Sequence, residues 1–125
     1  MTTINFEVPV RTVSEANVGC HWGTRGKRAR RQREAAKTIT QSLFSGMMSK
    51  MFPIQWAVCR YEITLTRIAP RKLDTDNLTR SLKAVRDGIA DALRIDDGNE
   101  RLSWHYRQEK RKLKEYSVIV EVTTL

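Results

Sequence analysis

Six aspartates lie close together in a chain that is otherwise strongly basic. All fall between Leu73 and Asp97, and they are Asp74, Asp76, Asp87, Asp91, Asp96 and Asp97. Carboxylates held near one another repel, and Mg²⁺ or Mn²⁺ relieves that repulsion by accepting their oxygens as ligands. A bound cation also attracts a phosphodiester, polarises its phosphoryl oxygen and helps to generate hydroxide from water. This stretch is therefore the first candidate for metal-dependent phosphodiester chemistry.

The same stretch has the periodicity of an amphipathic helix. Its apolar residues follow one another at spacings of four, three, four and four: Leu78, Leu82, Val85, Ile89 and Leu93. This spacing predicts one helix with an apolar stripe. The opposite face gathers Arg80, Lys83, Asp87 and Asp91. The Asp74–Asn77 run lies at the helix entrance, and Asp96 and Asp97 follow its end in a turn, so only folding can bring the two loops together.

Each aspartate also has an ordinary structural interpretation. Asp74 or Asp76 can cap the helix, and Asp96-Asp97-Gly98 can form a plain turn. Asp87 and Asp91 are like charges one turn apart, which destabilises a helix by only about 0.2–0.5 kcal/mol. Lys83, four residues before Asp87, offsets that repulsion. The pair alone is therefore weak support for a site.

Taken in order, these residues resemble the signature of a known family. Asp74-x-Asp76-Asn77-Leu78, a lysine on the helix, Asp87 and the Asp96-Asp97 pair look like the motif of the RusA family of Holliday junction resolvases, many of them encoded by prophages. The resemblance implies a homodimeric, Mg²⁺-dependent endonuclease domain, with Mn²⁺ as a substitute, that acts on branched DNA in recombination and repair. It spans only the segment from Asp74 to Asp97.

The resemblance also implies roles for residues. Asp74, Asp76 and Asp97 would hold the metal, with Asp87 and Asp96 beside them, and Lys83 would be the catalytic lysine. The family lysine usually lies about one turn after the asparagine, where this chain has Arg80, whereas Lys83 matches when counted back from Asp87. Arg80 therefore remains the alternative. Lys83 is preferred because both lie on one helical face and only a lysine can change its protonation state.

The overall charge favours a polyanionic partner. The chain has 23 Lys and Arg against 14 Asp and Glu, a net charge of +9. Nucleic acid is the commonest partner of such a protein, although a merely solvated cationic surface is the alternative. The DNA-contacting residues that we predict lie in two basic segments and on the acidic helix: Arg28, Arg30, Arg31, Arg71, Lys72 and Arg80. Positive charge where the first helix is predicted to open opposes its macrodipole, which favours phosphate contact there.

The remaining periodicity predicts an α+β domain over residues 1–125. Alternation at Ile4, Phe6 and Val8 predicts a strand. The polar residues and glycines from Val10 to Gly26 predict a loop. Ala35, Ile39, Leu43 and Met47 recur at helical spacing. Alternation from Ile54 to Ile68 predicts a long strand. Two further strands, around Trp104 and from Tyr116, flank a basic hairpin connection. The order strand, helix, strand, helix, strand, strand predicts a mixed four-stranded sheet covered by helices.

Several other classes of protein are disfavoured. Cys20 and Cys59 form no paired zinc pattern. No apolar run is long enough to span a bilayer and no signal peptide is evident, so we expect a cytoplasmic protein with no membrane partner. The chain has no Gly-rich phosphate loop, which excludes P-loop nucleotide hydrolysis and any nucleotide cofactor of that kind. A DNA-binding protein without catalysis, whose aspartates are caps and turns, is the alternative function.

Overall fold

A computed structural model describes residues 2–12, 22–48 and 60–124 of the chain. Its elements, in chain order, are β1 (Thr2–Val8), α1 (Trp22–Met48), β2 (Tyr61–Ala69), α2 (Thr75–Ser81), α3 (Lys83–Leu93), β3 (Leu102–Lys110) and β4 (Ser117–Thr124). The fold is α+β, as the sequence predicts. The sequence predicts a second strand from Ile54 to Ile68, but residues 54–59 lie outside the described part of the chain. Cys20 and Cys59 also lie outside it.

The four strands form one mixed sheet in the order β1-β4-β2-β3. Strand β2 is antiparallel to β4 and parallel to β3, with Leu65 opposite both Val120 and Tyr106. The predicted hairpin between the last two strands is therefore wrong, because β2 lies between them. Alternation shows which face a residue occupies, but it carries no information about which strand is the neighbour.

The helices cover one face of this sheet. Tyr61, Ile63 and Leu65 of β2 are fully buried, while Glu62 between them is exposed. The helical stripe that the sequence predicts packs onto the same core, since its residues are all 6 % exposed or less: Leu78, Leu82, Val85, Ile89 and Leu93. Period-2 and period-3.6 patterns thus converge on a single hydrophobic layer.

The predicted single helix of the acidic segment is interrupted at Leu82. Its backbone has φ −99° and ψ −1°, and its N–H bonds to Thr79 O at 3.3 Å rather than continuing the regular α-helical ladder. The side chain of Leu82 is nevertheless fully buried. The interruption changes the helix geometry but leaves the predicted buried face intact. A new helical segment, α3, begins at Lys83.

Helix α1 begins before the predicted position. It starts at Trp22, so the predicted loop is wrong from residue 22 to Gly26. The basic residues from Lys27 to Arg33 consequently lie beyond the first turn, where the macrodipole has little effect. The dipole argument for phosphate contact therefore does not apply to them. Within residues 26–44 of α1, the most buried side chains follow each other four apart: Gln32, Ala36, Thr40 and Phe44.

Helices α1 and α3 meet at Gly88. A Cβ atom on Gly88 would lie 2.2 Å from Arg33 O and 2.8 Å from the Ala36 Cβ. The absence of a side chain therefore lets the two helices touch, at a position where glycine costs about 1 kcal/mol relative to alanine in an exposed helix. The close contact at Gly88 is therefore between two helices of one chain. No helix in the described ranges is long and apolar enough to cross a membrane.

Candidate active site

Lys83 connects two of the predicted site carboxylates. Its Nζ donates to Asp87 Oδ1 and to Asp97 Oδ2, each at 2.8 Å. Asp87 lies one turn along α3, as the spacing predicts, whereas Asp97 comes from the loop beyond the helix. The loop thus folds back toward the start of α3, and the two carboxylates converge on one cationic nitrogen.

These contacts determine the charge states of the site. Hydrogen bonds to Asp87 and then to Asp97 raise the pKa of Lys83 above its usual value. The hydrogen bond from Lys83 lowers the pKa of Asp97. Lys83 is therefore a fixed ammonium ion near neutral pH. Lys83 is preferred to Arg80 because a lysine can change its protonation state, but these contacts keep Lys83 charged, so that reason is weakened. Lys83 is instead suited to stabilising negative charge.

Arg86 holds the other side of Asp97. Its guanidinium donates to the Asp97 carbonyl oxygen at 3.0 Å and to the Tyr106 hydroxyl at 2.6 Å, and it stacks on Trp104 with 4.8 Å to the ring centroid. Its Nε lies 3.1 Å from Asp97 Oδ2, close enough for an ion pair, but is poorly aligned and makes no hydrogen bond. Arg86 therefore anchors the backbone of Asp97 more firmly than its carboxylate.

One face of the edge strand β3 organises the whole site. Trp104 Nε1 donates to Asp97 O at 2.9 Å, and Tyr106 accepts from Arg86. The Gln108 amide bonds both the N–H and the carbonyl of Leu73, the residue before Asp74. Gln108 lies four positions after Trp104 along the strand, a distance of about 13 Å. The exit loop and the entrance loop are therefore fixed at different heights along the same strand.

At the entrance, Asp74 is the N-cap of α2. Its Oδ1 accepts from Asn77 N–H at 2.9 Å and its Oδ2 from the Asn77 side chain at 3.1 Å. Asp76 lies in the first helical turn with its side chain exposed. The predicted capping role is confirmed for Asp74. Capping and metal binding use the same carboxylate, whose remaining lone pairs stay available.

At the exit, Asp96 has a structural role. Its Oδ2 accepts from the Gly98 N–H at 3.2 Å and its carbonyl from the Asn99 N–H at 2.9 Å, which closes the turn. Its side chain is exposed, whereas Asp97 points back to Lys83. Of the two adjacent aspartates, Asp97 therefore faces the helix and Asp96 shapes the loop.

The candidate ligands suit Mg²⁺ in type. All are carboxylates, the hard oxygen donors that this ion prefers, and Asp87 and Asp97 already converge on one cation. In the described part of the chain, no three His, Cys, Asp or Glu side chains come together. Asp74 and Asp76 therefore do not join that pair. Mg²⁺ commonly binds one or two protein carboxylates and completes its shell with water and substrate phosphate, so a convergent pair is sufficient to start a site.

A basic cleft of about 210 Å³ opens beside this pair, between α1 and the two shorter helices. Arg30 and Arg33 of α1 line one wall, and Arg80, Lys83 and Asp87 line the other. Two of the predicted DNA-contacting residues, Arg30 and Arg80, thus face one cavity. Of the other two predicted on α1, Arg31 lines a second, open cavity together with Arg30 and Lys27, and Arg28 is partly exposed.

Arg33 ties α1 to the acidic helix. Its guanidinium makes a two-point contact with Asp91, at 2.6 and 2.9 Å, and approaches Asp87 at 4.0 Å. The hydrogen bond with Arg33 lowers the pKa of Asp91. Asp91 is therefore neutralised by Arg33, whereas Lys83 pairs with Asp87 and Asp97.

The predicted contacts Arg71 and Lys72 lie on the segment that leads to Asp74, and both are exposed. A buried residue of β2, Arg67, fixes this segment: its guanidinium donates to Arg71 O at 2.7 Å and to the Thr12 carbonyl and hydroxyl at 3.2 and 3.1 Å. Desolvation lowers the pKa of Arg67. Because oxygen acceptors satisfy it, Arg67 holds two loops together with no carboxylate partner among the residues that the structure describes.

The site residues predicted from the sequence do not include Arg33, Arg67 and Arg86. Arg86 lies three residues after Lys83, and that spacing could have placed it near the same loop. Arg67 occupies an inward position in the alternation of β2, and a charged residue at such a position is a signal in itself. Arg33 gives no comparable signal, because its partner Asp91 is 58 residues away.

Comparison with known proteins adds no family to this picture. No protein-family model matches the chain, and no curated protein matches it in sequence. The RusA resemblance therefore remains a prediction that rests on the motif residues between Asp74 and Asp97.

Proposed function

We propose that this protein is a Mg²⁺-dependent endonuclease of the RusA type that cuts Holliday junctions or related branched DNA. The observation that carries the proposal is the position of Lys83, which draws Asp87 and Asp97 together at the wall of a cleft lined with arginines. A carboxylate pair beside a cluster of cations suits a phosphodiester, since the cations attract the strand and the acids provide ligands.

In this proposal the basic residues bind the DNA backbone. Arg30 and Arg80 contact phosphates from opposite walls of the cleft, and Arg28 and Arg31 extend the contact along α1. Arg71 and Lys72 do the same at the entrance loop. Such contacts fix the position of the strand without reading its bases. They also make affinity fall steeply with added salt.

The resemblance assigns Mg²⁺ to Asp74, Asp76 and Asp97, with Asp87 and Asp96 nearby; since Asp74 and Asp76 lie apart from the Asp87–Asp97 pair in this structure, the entrance loop would have to move toward that pair when the metal binds. When bound, the ion supplies polarisation of the phosphoryl oxygen and a nucleophilic hydroxide. Lys83, kept charged by its two acids, stabilises negative charge on the phosphate. Arg86 holds the backbone of Asp97, so that its carboxylate stays within reach while Lys83 turns toward the DNA.

A homodimer acting in the cytoplasm completes the proposal. Resolution of a four-way junction needs two cuts related by symmetry, and a two-fold dimer presents two identical sites. Each subunit would then cut one strand of a symmetric pair.

A DNA-binding protein without catalysis is the second candidate. Asp74 is used as a cap, and Asp87 and Asp97 already have a cationic partner. In that case the basic surface is the whole function, and the acids serve the fold.

Incubation with labelled DNA separates the two candidates. Purified protein is given a four-way junction or a linear duplex of the same arm sequence, with Mg²⁺ or with EDTA. We expect paired symmetric cuts in the junction alone, and only with metal. The Asp76→Asn variant removes an exposed carboxylate with no hydrogen-bond partner among the described residues, so it should fold normally, bind the junction and lose cleavage. Binding of both DNAs without cuts in Mg²⁺ or Mn²⁺ would favour the second candidate.

A further inference from the structure

The turn between β3 and β4 presents an unusually exposed apolar side chain. Leu113 is 83 % exposed, compared with 38 % for Leu43, the other exposed large apolar residue in the described segments. One exposed leucine is ordinary on a protein surface. The backbone of this turn, its charge and its position together give it a more specific meaning.

The backbone places Leu113 at the tip of a tight turn. The Glu115 N–H donates to Lys112 O at 3.2 Å, so Leu113 and Lys114 are the two central residues. Lys114 has a φ of 67°, in the left-handed region that a turn of this kind usually fills with glycine. Glycine at 114 would relieve the backbone but would remove a cation next to Leu113. The turn therefore carries a lysine at a position where its backbone geometry favours glycine.

Cations surround the exposed leucine. They are Lys110, Arg111, Lys112 and Lys114. Arg111 is paired with Glu109 at 3.2 Å, whereas the three lysines make no ion pair within the described residues. Free lysines on both sides of an apolar tip are suited to a ligand that is anionic outside and apolar inside, which describes the backbone and the stacked bases of a nucleic acid.

The turn lies next to the loop that enters the candidate site. Arg111 N–H donates to Ala69 O at 3.0 Å, and Ala69 is the last residue of β2 before the segment that carries Arg71, Lys72 and Asp74. Gln108 bonds Leu73 from the same end of β3. The leucine tip and the entrance aspartate are therefore at one end of the sheet.

We propose that the Lys110–Lys114 turn is a nucleic-acid wedge, in which the lysines contact phosphates and Leu113 enters the base stack. The inference rests on the proposed function, because that function makes branched DNA the ligand. Leucine is among the apolar side chains that proteins insert between base steps. Unstacking is costly in a continuous duplex and least costly where bases are already unpaired. A wedge of this kind therefore favours a branch point over a linear duplex.

A lipid surface is the competing ligand for an apolar tip among lysines. Membrane association through an apolar surface needs a broad apolar face or a long acyl chain. A single leucine side chain offers much less buried area than either. The adjacency to Arg71, Lys72 and Asp74 also favours DNA.

Fluorescence of 2-aminopurine tests the wedge directly. The base analogue is placed at the branch point of a four-way junction and at the same sequence in a linear duplex, and binding is measured in EDTA so that the DNA stays intact. We expect the wild type to brighten the junction probe and not the duplex probe. Leu113→Ser should abolish the brightening and weaken junction binding by about tenfold, with duplex binding within about twofold of wild type.

Matched variants separate the wedge from charge and from general loss of a leucine. Leu43→Ser removes the other exposed leucine, on α1, and should change neither the binding of the junction nor the binding of the duplex. Lys112→Gln should weaken binding of the junction and of the duplex by the same factor. It should also reduce the slope of log affinity against log salt concentration by about one. Because Leu113 is exposed, its substitution should leave the urea midpoint of unfolding unchanged.

The wedge and the proposed function can fail separately. Junction cleavage by the wild type together with unchanged binding and brightening by Leu113→Ser would overturn the wedge and leave the nuclease intact. Leu113-dependent brightening without any cleavage would support the wedge and overturn the nuclease. Leu113-dependent sedimentation with phosphatidylserine vesicles, with no Leu113 effect on DNA, would assign the turn to lipid and overturn the proposal.

Discussion

Lys83 Nζ lies 2.8 Å from Asp97 Oδ2, across fourteen residues of chain. This contact returns the exit loop to the start of α3 and places a carboxylate beside the basic cleft. The same nitrogen holds Asp87, so one cation balances two acids. The charge balance of the candidate site therefore depends on Lys83 more than on any other residue described.

Replacing Lys83 with methionine should change how stability depends on pH. The pKa of Asp97 is lowered, so its contribution is present above its usual value of 3.8 and is lost as pH falls through the lowered value. The pKa of Lys83 is raised, so its contribution is present below 10.5 and is lost as pH rises further. We expect Lys83→Met to cost about 0.2–1 kcal/mol, the range for an exposed ion pair.

Urea unfolding across pH tests this expectation. The difference between wild type and Lys83→Met should be constant from about pH 6 to 9 and should narrow toward pH 3 as Asp97 becomes protonated. A difference that grows on acidification would show that Asp97 is not the partner that matters.

A substitution at Gly88 tests the contact between α1 and α3. The added methyl of Gly88→Ala would meet the backbone of Arg33, which cannot rotate away, so the helices must separate. Overpacking of this kind costs about 1–3 kcal/mol or more and exceeds the gain of about 1 kcal/mol in helix propensity. Gly26→Ala is the control, because nothing lies within 4 Å of its added methyl. Urea midpoints should fall for the first variant and rise slightly for the second; equal shifts would refute the close contact.

Asp74 allows capping and metal binding to be separated. Asp74→Asn keeps an oxygen that can accept from the Asn77 N–H, so stability should change by less than about 0.5 kcal/mol. Asp74→Ala removes the cap and should cost about 1 kcal/mol. Both variants remove the negative charge, so both should lose junction cleavage. Full cleavage by Asp74→Asn would mean that this carboxylate serves only the helix.

The Tyr106 hydroxyl should matter for the site through Arg86. Tyr106→Phe removes the acceptor at 2.6 Å from a partly buried guanidinium, a loss of about 1–2 kcal/mol in stability. If Arg86 positions Asp97, kcat for junction cleavage should fall more than KM rises. Tyr116→Phe is the control, because its ring would still stack under Arg11, which lies 4.5 Å from the centroid. An equal effect of the two variants on kcat would exclude the positioning role.

Local pattern was sufficient to predict the buried surfaces. The alternation in β2 and the helical stripe from Leu78 to Leu93 identify residues that the structure buries at 6 % exposure or less. The Asp74 cap follows equally from position and residue type. These features depend on periods of two and 3.6 residues, which neighbouring residues express by themselves.

Features that depend on distant partners could not be predicted. The placement of β2 between β3 and β4 decides which loops are adjacent, and alternation does not encode it. The break at Leu82 leaves the apolar spacing intact, so periodicity does not reveal it. The two-point contact of Arg33 with Asp91 requires two helices to pack first. The pairing of Lys83 with Asp87 on one helical face was therefore predictable from the sequence, whereas the partners Arg33 and Arg86 were not.

Two matched aspartate substitutions test whether the active site lies at the pair of carboxylates that Lys83 bridges. Asp97 and Asp91 are both partly buried, both have a lowered pKa and both bind a cation, but only Asp97 shares Lys83 with Asp87. Mg²⁺-dependent cleavage of a four-way junction is measured for Asp97→Asn and Asp91→Asn under single turnover. We predict a loss of at least about a hundredfold for Asp97→Asn and a change within about threefold for Asp91→Asn. Equal rates for the two variants would contradict the assignment of the active site to the Lys83 pair.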